Sequence, residues 1–214
     1  MGLQHDFILL DRSSSMGVIW REAVASVNEY VKKLAEDKVD TGVTVAVFDT
    51  KYDGNVDFQV IRDRITPQTM HPIKETETPP RGSTPLNDAT MRLISLAEAG
   101  NYDKVAIIIM TDGEENDSRE VDVSKVRAKL DQCRAKNWQV IFLGANFDNV
   151  RQATVYGNAA GQTIQASAVN LAATTRATAS MRASYGIFGQ SMTYDSHFKE
   201  AMKQDKPSDA KNKS

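Results

Sequence analysis

The sequence has little cysteine and no long apolar run. Its single cysteine, Cys133, cannot form a disulfide within the chain, which favours a reducing compartment. No run approaches the roughly 18 apolar residues of a membrane-spanning helix. The residues before Asp11 also lack the basic start and apolar core of a signal peptide. We therefore expect a soluble cytoplasmic protein that does not associate with a membrane.

An excess of charge of one sign is also missing. Lysine and arginine together number 26 against 28 acidic residues, a formal net charge of −2, so no basic field attracts nucleic acid. The 214 residues are 41% hydrophobic and 25% charged, which excludes a wholly disordered or fibrous protein. This length suits one domain with a single core, which we place at residues 1–190. The polar residues 191–214 are expected to form a disordered tail.

Short apolar runs alternate with longer amphipathic segments along the chain. Strands are predicted over residues 7–10, 43–48, 58–61, 105–110, 140–143 and 162–165. Helices are predicted over residues 18–35, 84–99, 121–136, 150–156 and 171–185. The turn signal Asp53-Gly54 makes the third strand an antiparallel partner of the second. We therefore predict a Rossmann-like, doubly wound α/β fold, whose mostly parallel six-stranded sheet has one antiparallel edge strand and helices on both faces.

Three segments place oxygen-bearing side chains at the ends of predicted elements. Asp11, Ser13 and Ser15 follow the first strand, Thr84 precedes the second helix, and Asp112 follows the most apolar strand. Because ligands of open α/β sheets bind at the carboxyl ends of the strands, these side chains are expected to meet. Two carboxylates and three hydroxyls form a hard oxygen set, which prefers Mg²⁺, Mn²⁺ or Ca²⁺ over zinc or copper.

The charge of this set allows a further ligand. Asp11 and Asp112 cancel the charge of a divalent cation only formally, and the hydroxyls are neutral. If Asp112 binds the cation through a water, the metal keeps its Lewis acidity. Octahedral geometry then leaves one position for an anionic group from outside.

The motifs Asp11-x-Ser13-x-Ser15, Gly82-Ser83-Thr84-Pro85-Leu86 and Met110-Thr111-Asp112-Gly113 occur in this order along the chain. Together they resemble the metal-ion-dependent adhesion site of von Willebrand factor A domains, and the chain is similar to intracellular single-domain members of bacterial or phage type.

The resemblance implies that Asp11, Ser13, Ser15, Thr84 and Asp112 hold Mg²⁺ or Mn²⁺. It also implies that a glutamate or aspartate of a partner protein completes the coordination, with an ATPase or an assembly component as one candidate partner. Ser14 stands where family members often have glycine, at a position that carries no ligand.

Local explanations of the same residues remain open. Asp11 and the serines are also suited to cap a helix that begins near Gly17. Thr84 followed by proline is typical of a helix N-terminus, and Asp112-Gly113 is typical of an ordinary turn. Elsewhere, Arg12 is expected as a surface charge, Trp20 as a partly buried aromatic, Cys133 as a packed core residue and residues 114–117 as a solvated acidic loop.

Other functions also remain open. An aspartate at the end of the first strand suits a Mg²⁺-dependent phosphotransferase or hydrolase that forms an aspartyl-phosphate. Ser13, however, stands where such enzymes commonly have a second aspartate, so catalysis is not expected. A nucleic-acid-associated module of the same fold is disfavoured by the net charge. In a third alternative the metal is purely structural.

Overall fold

A computed structural model describes residues 3–113, 115–144, 154–157, 163–165 and 170–193. Its six strands are β1 (Gln4–Asp11), β2 (Gly42–Thr50), β3 (Val56–Ile65), β4 (Lys104–Thr111), β5 (Gln139–Gly144) and β6 (Thr163–Gln165). The helices with described bounds are α1 (Trp20–Glu36), α2 (Leu86–Glu98), α3 (Val123–Ala135) and α4 (Leu171–Phe188). Short 3₁₀ turns cover Ser14–Val18 and Pro67–Thr69.

The six strands form one sheet in the order β3-β2-β1-β4-β5-β6. β3 is antiparallel to β2, and the other neighbouring strands are parallel, which confirms the predicted sheet. The chain passes from β1 to β2 on one side and later returns to β4 on the other side. The carboxyl ends of β1 and β4 are therefore the point at which the strand order reverses, where a ligand cleft is expected in this fold class.

The core lies on both faces of the sheet, because successive side chains of a strand point to opposite faces. Ile8 and Leu10 of β1 pack in the layer that contains α1, while Phe7 and Leu9 pack in the layer of α2 and α3. Cys133 is buried in this second layer, as predicted. Burial raises the pKa of its thiol to about 11, so it is an unreactive core residue.

Some predictions fall on residues that the structure does not describe. The predicted helix over residues 150–156 lies mostly outside the described residues, and so does most of the predicted tail over 191–214. Among the helices that the structure does describe, none has the length and apolarity needed to cross a bilayer.

His5 makes the stability of the fold depend on pH. Its ring is buried between Phe7 and Tyr102, its Nε2 lies 2.9 Å from Thr44 Oγ1, and desolvation lowers its pKa to about 4. As the pH falls from about 6.5 to 4, the unfolded chain binds a proton at His5 that the folded protein does not bind. The contribution of His5 to the free energy of unfolding is therefore expected to fall by about 2–3 kcal/mol over this interval.

Urea unfolding at several pH values measures this slope. The His5→Gln variant keeps a side chain able to hydrogen bond to Thr44 but cannot titrate, so the difference between variant and wild type isolates His5. Parallel pH profiles for the two proteins would show that His5 does not titrate in this way.

Candidate metal centre

Asp11 is the innermost residue of the candidate centre. It ends β1, and its side chain is fully buried. One carboxylate oxygen accepts a hydrogen bond from the Ser13 backbone N–H at 2.7 Å, and the other accepts from the Thr111 hydroxyl at 2.6 Å. Burial raises the pKa of this carboxyl to about 6, and the Asp112 carboxylate contributes in the same direction. These neighbours supply no positive charge, so a divalent cation would offset the cost of burying the carboxylate.

The predicted side chains of the β1 and β4 loops meet directly. Ser15 Oγ donates to Asp112 Oδ1 at 2.9 Å, across the carboxyl ends of two adjacent strands and 97 residues along the chain. Ser13 Oγ lies 3.2 Å from Ser15 Oγ. Asp112 is partly exposed, and partial burial also raises the pKa of its carboxyl. These four side chains therefore form a continuous set of oxygen atoms that is open to solvent on the side of Ser15 and Asp112.

Thr84 joins this set through the loop that precedes α2. Its backbone N–H donates to Asn116 Oδ1 at 2.9 Å, and its carbonyl accepts from the Asn116 backbone N–H at 3.2 Å. A β-carbon added to Gly113 would lie 3.4 Å from Thr84 Oγ1 and 3.5 Å from Ser15 Oγ. Both hydroxyls therefore face the same turn after β4, and all five predicted residues lie together.

Gly82 allows this loop to approach the sheet. Its φ of +66° is in the left-handed region, and a β-carbon there would lie 2.5 Å from the Thr50 carbonyl oxygen. Its own carbonyl accepts from the Ser14 backbone N–H at 3.1 Å, which joins the loop of Thr84 to the loop after β1. Any larger residue at this position would push the loop of Thr84 away from the end of β2.

The capping alternatives for these residues are wrong. The residue before α1 is Ile19 and the residue before α2 is Pro85, and neither helix has a side-chain cap. Ser13 precedes the 3₁₀ turn but does not cap it with its side chain. The Ser13 and Thr84 hydroxyls are therefore not used to satisfy helix N-termini.

Three expectations about neighbouring residues are also corrected. Arg12 is buried rather than exposed, because two aspartates of β2 and β3 face it. Trp20 is buried as well, and its indole N–H donates to the Glu75 carbonyl. Glu115 is not simply solvated, since its carboxylate accepts from the backbone N–H groups of Asn87, Asp117 and Ser118.

Thr111 and Asn116 are supporting residues for which the sequence analysis predicts no role. Thr111 is buried, and its hydroxyl orients the Asp11 carboxylate. Asn116 hydrogen bonds to both the backbone N–H and the carbonyl of Thr84. Thr111 is part of the motif that contains Asp112, and Asn116 follows Asp112 by four residues, so position in or near the motif was the signal available. The complete donor set, with two carboxylates and three hydroxyls, fits a hard divalent cation such as Mg²⁺ or Mn²⁺.

Comparisons with known proteins agree with this architecture. The family model of the von Willebrand factor type A domain matches residues 7–178. No curated protein sequence matches the chain significantly. Among solved structures, the vWF domain of the type V pili tip protein Mfa5 from Porphyromonas gingivalis has a TM-score of 0.64 and 12% identity. That match covers 85% of this chain and 95% of the Mfa5 domain.

Two further structures show the same likeness. The manganese-loaded TRAP protein of Plasmodium vivax has a TM-score of 0.55 and 14% identity, with 80% of this chain and 71% of that chain covered. Proximal thread matrix protein 1 from the mussel byssus has a TM-score of 0.53 and 18% identity, with 81% of this chain covered. The chain spans only 45% of the mussel protein. At these identities the likeness shows a shared fold.

Proposed function

Because the chain belongs to the von Willebrand factor type A domain family, we propose that it is a metal-dependent protein-binding module. Asp11, Ser13, Ser15, Thr84 and Asp112 hold Mg²⁺ or Mn²⁺, with Ca²⁺ as a further candidate, and a glutamate or aspartate of a partner protein completes the coordination. The observation that carries this proposal is the contact of Ser15 with Asp112 beside the buried Asp11 carboxylate.

The manganese-loaded TRAP protein supports the metal part of the proposal, since a protein of similar fold is manganese-loaded. The Mfa5 tip protein and the mussel thread matrix protein support the protein partner, because both are named as parts of protein assemblies. For this chain we propose an assembly component or an ATPase as partner, and the cytoplasm as its location.

The surface beside the candidate centre offers the flanking contacts that a single carboxylate–metal bond needs. A cleft of about 750 Å³ begins at Gly82 and Ser83 and extends to the hairpin between β2 and β3. Tyr52 is fully exposed at this hairpin, and Arg119, whose guanidinium lies against Gly54, also lines the cleft. We propose that residues next to the partner's acidic side chain contact this cleft.

We also propose that the domain is not an enzyme. An aspartyl-phosphate mechanism needs a carboxylate oxygen that can reach a substrate. The Asp11 side chain is fully buried, and each of its oxygens already accepts a hydrogen bond. The second aspartate typical of such enzymes is replaced by Ser13.

The direct test is titration of EDTA-stripped protein with Mn²⁺ and Mg²⁺ by calorimetry. We expect one binding site in the wild type. In Asp112→Asn the Kd for Mn²⁺ should be higher by roughly tenfold to a hundredfold, because the amide lacks the negative charge that attracts the cation. The matched control is Asp103→Asn. Asp103 is exposed and immediately precedes the first residue of β4, at the end of the strand away from Asp112. Equal affinities in Asp112→Asn and the control would contradict the proposed site.

The second part of the test concerns the partner. Immobilised protein is incubated with candidate proteins in Mg²⁺ and again in EDTA, beside Asp112→Asn. Retention that requires Mg²⁺ and is lost in the variant supports the bridging role. Retention that is equal in EDTA would instead favour a purely structural metal.

A further inference from the structure

Two arginines and two aspartates form an ionic cluster beside the candidate metal centre, in which Arg12, Asp49 and Asp57 are buried and Arg81 is about half exposed. Arg12 Nη2 donates to Asp49 Oδ1 at 3.1 Å and to Asp57 Oδ2 at 2.9 Å. Arg81 Nε donates to Asp49 Oδ2 at 2.6 Å, and its Nη2 donates to Asp57 Oδ2. Each carboxylate therefore binds both guanidinium groups.

The two arginines belong to the two loops that carry most of the candidate ligands. Arg12 lies between Asp11 and Ser13, and Arg81 lies three residues before Thr84. The loops also contact each other through their backbones, since the Arg81 N–H donates to the Arg12 carbonyl at 2.8 Å. The same pair of carboxylates therefore holds both loops in position.

The aspartates come from neighbouring strands and face each other. Asp49 of β2 and Asp57 of β3 are directly opposite in the antiparallel register. Their side chains are only 0% and 9% exposed. Like charges in this position are destabilising unless cations lie between them, so the pair requires both arginines. These ion pairs therefore join β2 and β3, at the edge of the sheet, to both loops.

We infer that Arg12, Arg81, Asp49 and Asp57 are positioning residues that hold the loops of Asp11 and Thr84 at the spacing a divalent cation requires. The cluster has no net charge, so it acts on the cation through geometry rather than through its field. This inference rests on the proposed metal site. It adds residues outside the candidate ligand set, of which Arg81 and Asp57 also line the cleft beside the centre.

Arg81→Gln separates geometry from electrostatics. Its side chain is about half exposed, so the fold tolerates the change, and all five candidate ligands remain. Loss of the positive charge leaves the cluster net negative, so electrostatic attraction alone would make Mn²⁺ bind more tightly. Loss of positioning makes it bind more weakly. We expect a Kd for Mn²⁺ that is roughly tenfold higher, as found when groups that orient metal ligands are removed.

Arg176→Gln is the matched control. Arg176 is similarly exposed and also bridges two carboxylates, those of Glu29 and Glu36, but it joins α1 to α4. It should leave the Kd for Mn²⁺ unchanged. Unchanged or tighter Mn²⁺ binding in Arg81→Gln would overturn the inference.

A second measurement does not depend on the metal. The Ser14 amide donates a hydrogen bond to the Gly82 carbonyl, so we expect it to be protected from hydrogen exchange in EDTA. Arg81→Gln should reduce its protection from hydrogen exchange, and Arg176→Gln should not. Loss of protection in Arg81→Gln, together with a wild type that binds no Mn²⁺, would reject the proposed function and keep the positioning role. Full protection in Arg81→Gln would reject the positioning role, whatever Asp112→Asn shows for the metal.

Discussion

The Asp11→Asn variant is expected to lose Mn²⁺ binding and yet to unfold at a higher urea concentration than the wild type when both are free of metal. The first effect follows because Asp11 supplies the most buried of the two negative charges in the candidate centre. Its loss should raise the Kd for Mn²⁺ by on the order of a hundredfold or more.

The gain in stability follows from the surroundings of the same side chain. In EDTA the wild type must bury a carboxylate whose pKa is raised to about 6, with the Asp112 carboxylate close by. An amide of the same shape removes this cost, about 3 kcal/mol of unfolding free energy at pH 8. Its NH₂ group can donate to Thr111 Oγ1, because the Thr111 hydroxyl can instead donate to the Gly113 carbonyl at 3.2 Å.

Urea unfolding in EDTA and calorimetric titration with Mn²⁺ check the two effects separately. A variant that binds Mn²⁺ as well as the wild type would remove Asp11 from the ligand set. A variant that is less stable than the wild type in EDTA would show that the Asp11 charge is already compensated within the protein.

Asp6→Asn is expected to have the opposite effect on stability, although Asp6 is on the same strand and equally buried. Arg182 Nε of α4 donates to Asp6 Oδ1 at 2.6 Å, and both side chains are fully buried. Tyr30 donates to the other carboxylate oxygen at 2.8 Å. The variant leaves the Arg182 charge buried without its anion, which should lower the unfolding free energy by about 3–5 kcal/mol.

The double variant Asp6→Asn/Arg182→Leu tests whether the ion pair is the cause. Replacing both charges removes the unpaired cation, so the double variant should be more stable than Asp6→Asn alone. Mn²⁺ affinity should be unchanged in all of these variants at temperatures where they stay folded, because Asp6 lies at the opposite end of β1 from Asp11. If the loss of unfolding free energy in the double variant equals the sum of the losses in Asp6→Asn and Arg182→Leu, the two residues are not a coupled pair.

The sheet and the site motifs were accessible from the sequence because local patterns determine them. The β-branched runs predicted strands, and the structure confirms each of them within the described residues. Asp11, Ser13 and Ser15 are close in sequence, so their convergence depends on one loop. Thr84 and Asp112 could be added because strand ends in this fold class meet at one edge.

The role of Arg12 could not be predicted in the same way. A lone arginine in a serine-rich loop is typical of the surface, and its partners are 37 and 45 residues away along the chain. One signal was present: Asp49 lies near the end of a largely apolar and buried strand, where a carboxylate requires a cation. Nothing local indicated that two arginines from different loops would supply it. The metal ligands and the 1–190 boundary themselves stay predictions.

The strand order also determines when the candidate centre can form during synthesis. β2, which pairs with β1, follows it closely along the chain, but Thr111, which contacts Asp11, is synthesised 100 residues after Asp11. At ribosomal rates this interval is roughly 5–20 s. Until β4 arrives, one edge of β1 has unpaired backbone groups, with apolar side chains on both faces. The outer strand β3 carries Arg62, Asp63 and Arg64, and charged residues hinder pairing with another chain. The edge of the nascent chain that is open to aggregation is therefore β1, which lies in the centre of the finished sheet.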